Sequence, residues 1–354
     1  MEVFGDVADV WRDFGTYEAP DGCFHDWALR VADDPEVLAW LRTLASDRER
    51  QPNLILAAAR WNGVAAPGPY DALRAALLGD DAEGRRRGTP TGPVRATVAG
   101  RRTQTNEVGR LATLAPVLGL LAARHGGPLA LLEIGASAGL CLYPDRWDYT
   151  WHLPDGEVST HDGAAGRLTC EVTGQAPGSE VWPAGPLPVA WRGGLDLAPV
   201  DVTDDDQVAW LETLVWPEHD DRRARLRTAV EVARADPPTV VAADLTTSEG
   251  LDLLDGLVEE AGRHGRVVVM HSAVTAYLPV AARQVLEQRL RGLVAAGRAH
   301  WLSNEGKRVH PAVTATGPPV PDDVATFVLG LDGRAAAWTH GHGRSMRWVA
   351  PAQL

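Results

Sequence analysis

Three groups of residues in this chain have the types and spacing to do chemistry: a serine set among small residues, carboxylates that close apolar runs, and a polar cluster that opens a helix. The serine is Ser137 in "LALLEIGASAGL", residues 129–140. Read as G-x-S-x-G, it stands on a tight strand-to-helix turn and offers its hydroxyl for acyl transfer. Asp244 or Asp252, followed by His310, His340 or His342, would then supply the order Ser, Asp, His. Read as acid-x-G-x-x-x-G, the same loop holds a nucleotide-like cofactor. Gly135 and Gly139 let the backbone come close to the ligand, and a helix starting near Ser137 aims amide donors at it. Such an elbow serine follows several strands and an upstream oxyanion loop, whereas the first 125 residues here read as helices. An NAD-type G-x-G-x-x-G fits worse, because the glycine spacing fails.

The carboxylates follow the same logic. In an open parallel sheet an acid at the end of the second strand binds ribose hydroxyls, and Asp196 in "RGGLDLAP" is placed for this once an insertion after the first strand is granted. Asp244, closing "VVAADL", is an acceptor for an exocyclic adenine amine. The cluster Gln104, Thr105, Asn106, Glu107 and Arg110 reads either as a capping motif with Thr105 as N-cap or as a helix start that faces a cofactor pocket. Lys307, the one lysine, lies in "EGKR", which is not the G-K-S/T of a phosphate loop. His340 and His342 in "THGHGR" have no neighbouring cysteine or paired carboxylates and read as turn residues, so no metal site is expected.

These groups need a frame. Proline-opened apolar patterns predict short helices in "DDPEVLAWLRTL", "QPNLILAAARW" and "GPYDALRAALL". The stretch 79–102, dense in Gly, Pro and charge, reads as a linker, and the triplet Arg85 to Arg87 as solvated. A longer helix runs through "TQTNEVGRLATLAPVLGLLAARHGG". From Pro128 short apolar runs alternate with helical segments, the pattern of a parallel sheet with crossover helices, and "LDGR" joins the last strands as a hairpin. Residues 1–100 are thus expected to form a helical cap and residues 101–354 an α/β sheet domain, with an inserted hairpin at about 145–185 around "PDG".

Composition removes several classes. A net charge of −13 with arginines interleaved among acids argues against a nucleic-acid partner. No apolar run approaches the length of a membrane span, and the first residues lack a signal-peptide pattern. Cys23, Cys141 and Cys170 are far apart and form no C-x-x-C, which suits a reducing cytoplasm.

"LLEIGASAGL", the strand-end acids, "VVVMHSAVTAYL" and the terminal strand pair resemble class I S-adenosylmethionine-dependent methyltransferases over roughly residues 128–349. The loop departs from that class at Ser137, where glycine is usual. Nearly the whole chain, through "RQPNLILAAA", "RRTQTNEVGR", "LLEIGASAGLCLYPDRWDY", "RGGLDLAPVDV" and "WLETLVWPE", is similar to the uncharacterised bacterial domain of unknown function 2332 family. The first resemblance implies a Rossmann-like sheet, S-adenosylmethionine as cofactor, and a small-molecule acceptor seated between cap and sheet. It implies that Glu133, Gly135, Ala136, Ser137 and Gly139 form the first loop, with Glu133 toward the amino-acid end of the cofactor. Asp196 and Leu197 meet the ribose side, Asp244 and Leu245 flank the adenine, and His271 and Ser272 line the transfer site. Gln104, Asn106 and Arg110 approach from the preceding helix start. Where the acceptor needs a general base, Glu107 is the first choice, then His271 and Tyr277.

Overall fold

The structure is a computed structural model describing residues 6–79, 92–104, 106–176, 178–320 and 326–349. Its contacts gather the chain into two units, Met1–Thr105 with Asp205–Ala224, and Asn106–Asp204 with Arg225–Leu354.

The first unit is helical: Val7–Asp13, Gly22–Ala32, Pro35–Arg42, Pro52–Trp61, Tyr70–Gly79 and Pro93–Gly100. The start of Pro35–Arg42 shows why these segments are helices. Asp34 accepts hydrogen bonds from the amides of Glu36 and Val37, and Pro35 fills a position whose amide has no partner anyway. Pro93–Gly100 falls inside the stretch expected to be a linker. Val94 and Val98, four residues apart, are both buried, and behind Pro93 that is enough to hold two turns. Residues 80–91 of the same stretch, including Arg85 to Arg87, lie outside the described residues. The helix Asp205–Leu214 contributes Trp210 to a core with Trp11, Trp27, Leu41 and Ile55.

The second unit is an α/β fold around one mostly parallel sheet. Its strands are β1 (Leu129–Ile134), β2 (Asp148–Leu153), β3 (Gly156–Ser159), β4 (Arg167–Thr173), β5 (Val189–Asp196) and β6 (Thr239–Ala242). They are followed by β7 (Arg266–Ser272), β8 (His300–Gly306), β9 (Phe327–Leu331), β10 (Arg334–Thr339) and β11 (Ser345–Trp348). Among the described residues the order is β3-β2-β4-β11-β10-β9-β8-β7-β1-β5-β6. The block β6-β5-β1-β7-β8 is parallel throughout, while β8 to β11 run antiparallel to one another. All six residues of β1 are buried, as expected for a central strand covered on both faces. Leu132, Ile134, Val267 and Val269 pack there with Leu254 and Leu290 from the helices Ser248–Ala261 and Val280–Ala295.

Two expectations are corrected. No helix begins near Ser137: a three-residue 3-10 turn, Leu140–Leu142, follows the loop, and the chain then enters β2. The inserted segment is also more than a hairpin. β2 and β3 do pair about "PDG", but β4 lies parallel to both β2 and β11 and so extends the sheet. The alternating burial of β4, with Leu168, Cys170 and Val172 inward, is that of a strand with one face on a core. No described helix is long and apolar enough to cross a membrane.

Candidate functional site

The order reverses at β1: after the excursion through β2 to β4 at the far edge, the chain lays β5 and β6 on one side of it, and β7 and β8 on the other. Strand ends splay at such a switch point, and ligands of open α/β sheets bind in the crevice beyond the carboxyl ends. Gly135 to Gly139 emerge there.

Gly135 and Gly139 both have left-handed backbone, φ 69° and 67°. A Cβ on Gly135 would collide with the side chain of Val274, and one on Gly139 with Pro238. Ser137 is also left-handed, φ 51°. That turn is held by the chain itself. The amides of Gly135 and Ala136 donate to the Leu195 carbonyl at 2.7 and 3.1 Å, and Gly139 donates to Ala136. The Ser137 amide donates to Asp196 Oδ2 at 2.8 Å, and the Ala138 amide to Asn106 Oδ1 at 3.3 Å. Every amide expected to face a ligand therefore has a protein acceptor, and without a following helix no macrodipole reinforces them. The donors of this rim are spent, and its acceptors define it.

Asp196 is the best placed of those acceptors. Its Oδ1 takes the Ala198 amide at 2.7 Å and its Oδ2 the Ser137 amide, so each oxygen keeps one lone-pair direction. Beside it Leu197 is 61% exposed. The Ala243 amide donates to the Asp196 carbonyl, which brings the end of β6 to the same rim. There Asp244 turns back on its own loop: its Oδ1 accepts from the hydroxyl and amide of Thr246, and these bonds hold its carboxyl below the ordinary value. Leu245 is buried.

Glu133, the last acid of β1, is buried, and among the described residues no hydrogen bond reaches its Oε2. Burial pushes its carboxyl up to about 8; Arg110 opposes that rise and Asp196 adds to it. Arg110 is itself buried, donating through Nε to the Gly341 carbonyl and through Nη1 to that of Ser272. The "THGHGR" turn is thus tied to the segment before the first strand. There His340 Nδ1 accepts from the His342 amide, a turn role.

The remaining expected residues are distributed as follows. Asn106 Nδ2 donates to Ser137 Oγ at 3.1 Å, and an amide cannot remove the hydroxyl proton; among the described residues no histidine hydrogen-bonds this hydroxyl. Glu107 caps the turn Val108–Arg110, accepting from the Gly109 amide, and lies 3.7 Å from Arg225. Gln104 falls in the first unit, and Thr105 lies outside the described residues. Tyr277 is 73% exposed. Ser272 Oγ accepts from Asn304.

His271 is buried, and both its nitrogens are engaged. Trp301 Nε1, a donor only, binds Nε2 at 2.9 Å, so Nδ1 carries the proton and donates to Glu305 Oε1 at 2.8 Å. In this arrangement the imidazole has no lone pair for a general base. The same Glu305 oxygen accepts the amides of Val274 and Thr275, and Thr275 Oγ1 is 2.9 Å from His310 Nε2, whose Nδ1 donates to Glu287. This network fixes the loop after β7 that packs on Gly135. Glu305 was not singled out in the sequence, and His310 only as a candidate partner of Ser137; the one local signal for the network was an acid within the strand "HWLSNEG".

The sequence pattern of the family described as "Uncharacterized protein conserved in bacteria (DUF2332)" matches residues 8–348. The chain belongs to this family. Neither a curated protein nor a solved structure matches it.

Proposed function

We propose that the chain binds S-adenosylmethionine beyond the carboxyl end of β1 and passes its methyl group to an oxygen or nitrogen of a small molecule. In this reading the block β6-β5-β1-β7-β8 is a Rossmann-like sheet of the class I methyltransferase kind. The observation that carries it is the posture of Asp196. Two backbone amides fix the carboxylate and leave one acceptor direction on each oxygen, the pattern that two neighbouring ribose hydroxyls need. Leu197 offers an apolar surface alongside, and Glu133 an acid for the cationic end of the ligand.

The cofactor brings the reactive sulfonium, and the protein's part is to align an acceptor and exclude water. With His271 committed to Trp301 and Glu305, the chain fits acceptors that are already nucleophilic better than those that must lose a proton. The same fact favours one second reading, ligand binding without turnover. Calorimetry and thermal shift with S-adenosylmethionine and its demethylated product test the first claim. A ligand at about a hundred times its Kd adds nearly 3 kcal/mol of stability. No response to either compound in the wild type ends the proposal. Binding without appearance of demethylated product over a panel of small nucleophiles selects the second reading. Fluorophosphonate labelling lost in Ser137→Ala selects acyl chemistry over both.

A further inference from the structure

At the opposite end of the sheet, where the parallel strands begin, His125 closes the helix Leu111–His125 and His300 opens β8. Their Nε2 atoms face each other at 2.8 Å, with ring centroids 4.9 Å apart. Asp332, in the turn between β9 and β10, accepts from His300 Nδ1 through Oδ2 at 2.8 Å. Its Oδ1 accepts the Trp301 amide, and its own amide donates to the Trp301 carbonyl. A carboxylate only accepts, so His300 carries its proton on Nδ1 and turns the Nε2 lone pair toward His125. A carboxylate on one imidazole nitrogen with the other turned outward is the arrangement that orients histidine ligands of metals.

We infer that His125 and His300 bind one divalent first-row transition ion through their Nε2 atoms, with Asp332 orienting His300 from behind. The proton now shared between the two nitrogens is what the ion replaces. With metal–nitrogen bonds of about 2.0–2.1 Å, two ligands at right angles on one ion are about 2.9 Å apart, and at the tetrahedral angle about 3.3 Å. The observed spacing needs a small swing of the exposed His125 ring. Among the described residues no three His, Cys, Asp or Glu side chains group as ligands, so solvent completes the coordination shell. Arg266 and Arg124 oppose positive charge at His125, and Asp332 offsets them only in part. The ion would clamp the end of the helix to the first residue of β8.

Titration of the full chain with zinc chloride by calorimetry tests this, together with nitrogen hyperfine structure in the electron paramagnetic resonance of its copper(II) complex. We expect one equivalent of zinc, and hyperfine coupling to two imidazoles that falls to one in His125→Ala. His125→Ala and Asp332→Asn should each weaken zinc binding by about tenfold or more. His125 is exposed at a helix end, so its replacement leaves the fold intact, which circular dichroism checks. Zinc affinity unchanged within about twofold in His125→Ala and His300→Ala overturns the inference, because the other histidines would then account for the binding.

Discussion

Glu133 and Glu305 belong to strands β1 and β8 of the same sheet, with only β7 between them, and both are buried, at 7% and 2% exposure. Their chemistry is opposite. For Glu305 burial pushes the carboxyl up, but His271 and the amides of Thr275 and Val274 outweigh it, and the group stands below its ordinary value. For Glu133 the same burial is opposed only by the charge of Arg110, while Asp196 adds to the rise, and the group stands at about 8. Donors rather than depth decide whether a buried acid is ionised. Glu305 is committed to holding the loop after β7, whereas Glu133, raised to about 8, is protonated at neutral pH and would release its proton to solvent only if a further positive charge were placed beside it.

The contrast can be broken most forcefully at Glu305. Glu305→Ala removes three donors' acceptor and strands His271, which should cost about 3 kcal/mol or more in urea unfolding. A loss below about 1 kcal/mol would make the network ornamental. Glu133→Gln should do the reverse. An acid whose folded value lies above its unfolded one stabilises fully below the unfolded value of 4.5 and loses that contribution as pH climbs toward 8. The wild type should therefore fall behind Glu133→Gln between those limits, by a gap of roughly 4 to 5 kcal/mol at the alkaline end. Glu305, depressed in the fold, gives the opposite slope, with stability lost as pH falls through its folded value. Parallel slopes for the two variants would erase the distinction.

Two smaller effects sharpen it on the ligand side. If Glu133 is ionised by the cationic end of S-adenosylmethionine, binding near pH 7 releases up to nearly one proton to the buffer. Calorimetry in two buffers of different ionisation enthalpy reads this, and equal heats would remove Glu133 from the site. Asp196→Asn should weaken the same ligand by roughly tenfold or more, the scale of a hydrogen bond to a charged acceptor. Asp244→Asn should change it by only about threefold or less, since that carboxylate is exposed and already serves Thr246. Equal losses at the two positions would mean the ribose is not held where Asp196 stands.

The legible part of this chain was whatever is local. The runs that became β1, β5, β6, β7 and β8 announce themselves by apolar residues between turn signals, and the left-handed Gly135 and Gly139 by type. The strand-end acids could be placed on one rim for the same reason. What distance creates was not legible. His271 and Glu305 are 34 positions apart, and neither residue type shows that Trp301 will occupy the other ring nitrogen. The helix expected after β1 rested on the usual crossover, and "GLCLYPDRWDY" gives it no second turn of apolar residues before Pro144. The pairing of β4 with β11 joins segments more than 170 residues apart, which no periodicity records.

That last pairing bears on how the protein is made. A chain leaving the ribosome presents β4 long before β11 exists, so the hairpin β2–β3 and its neighbour must wait with one open backbone edge through most of synthesis. Termination before residue 345 would leave that margin bare for good, turning a shortened product toward self-association instead of mere loss of activity.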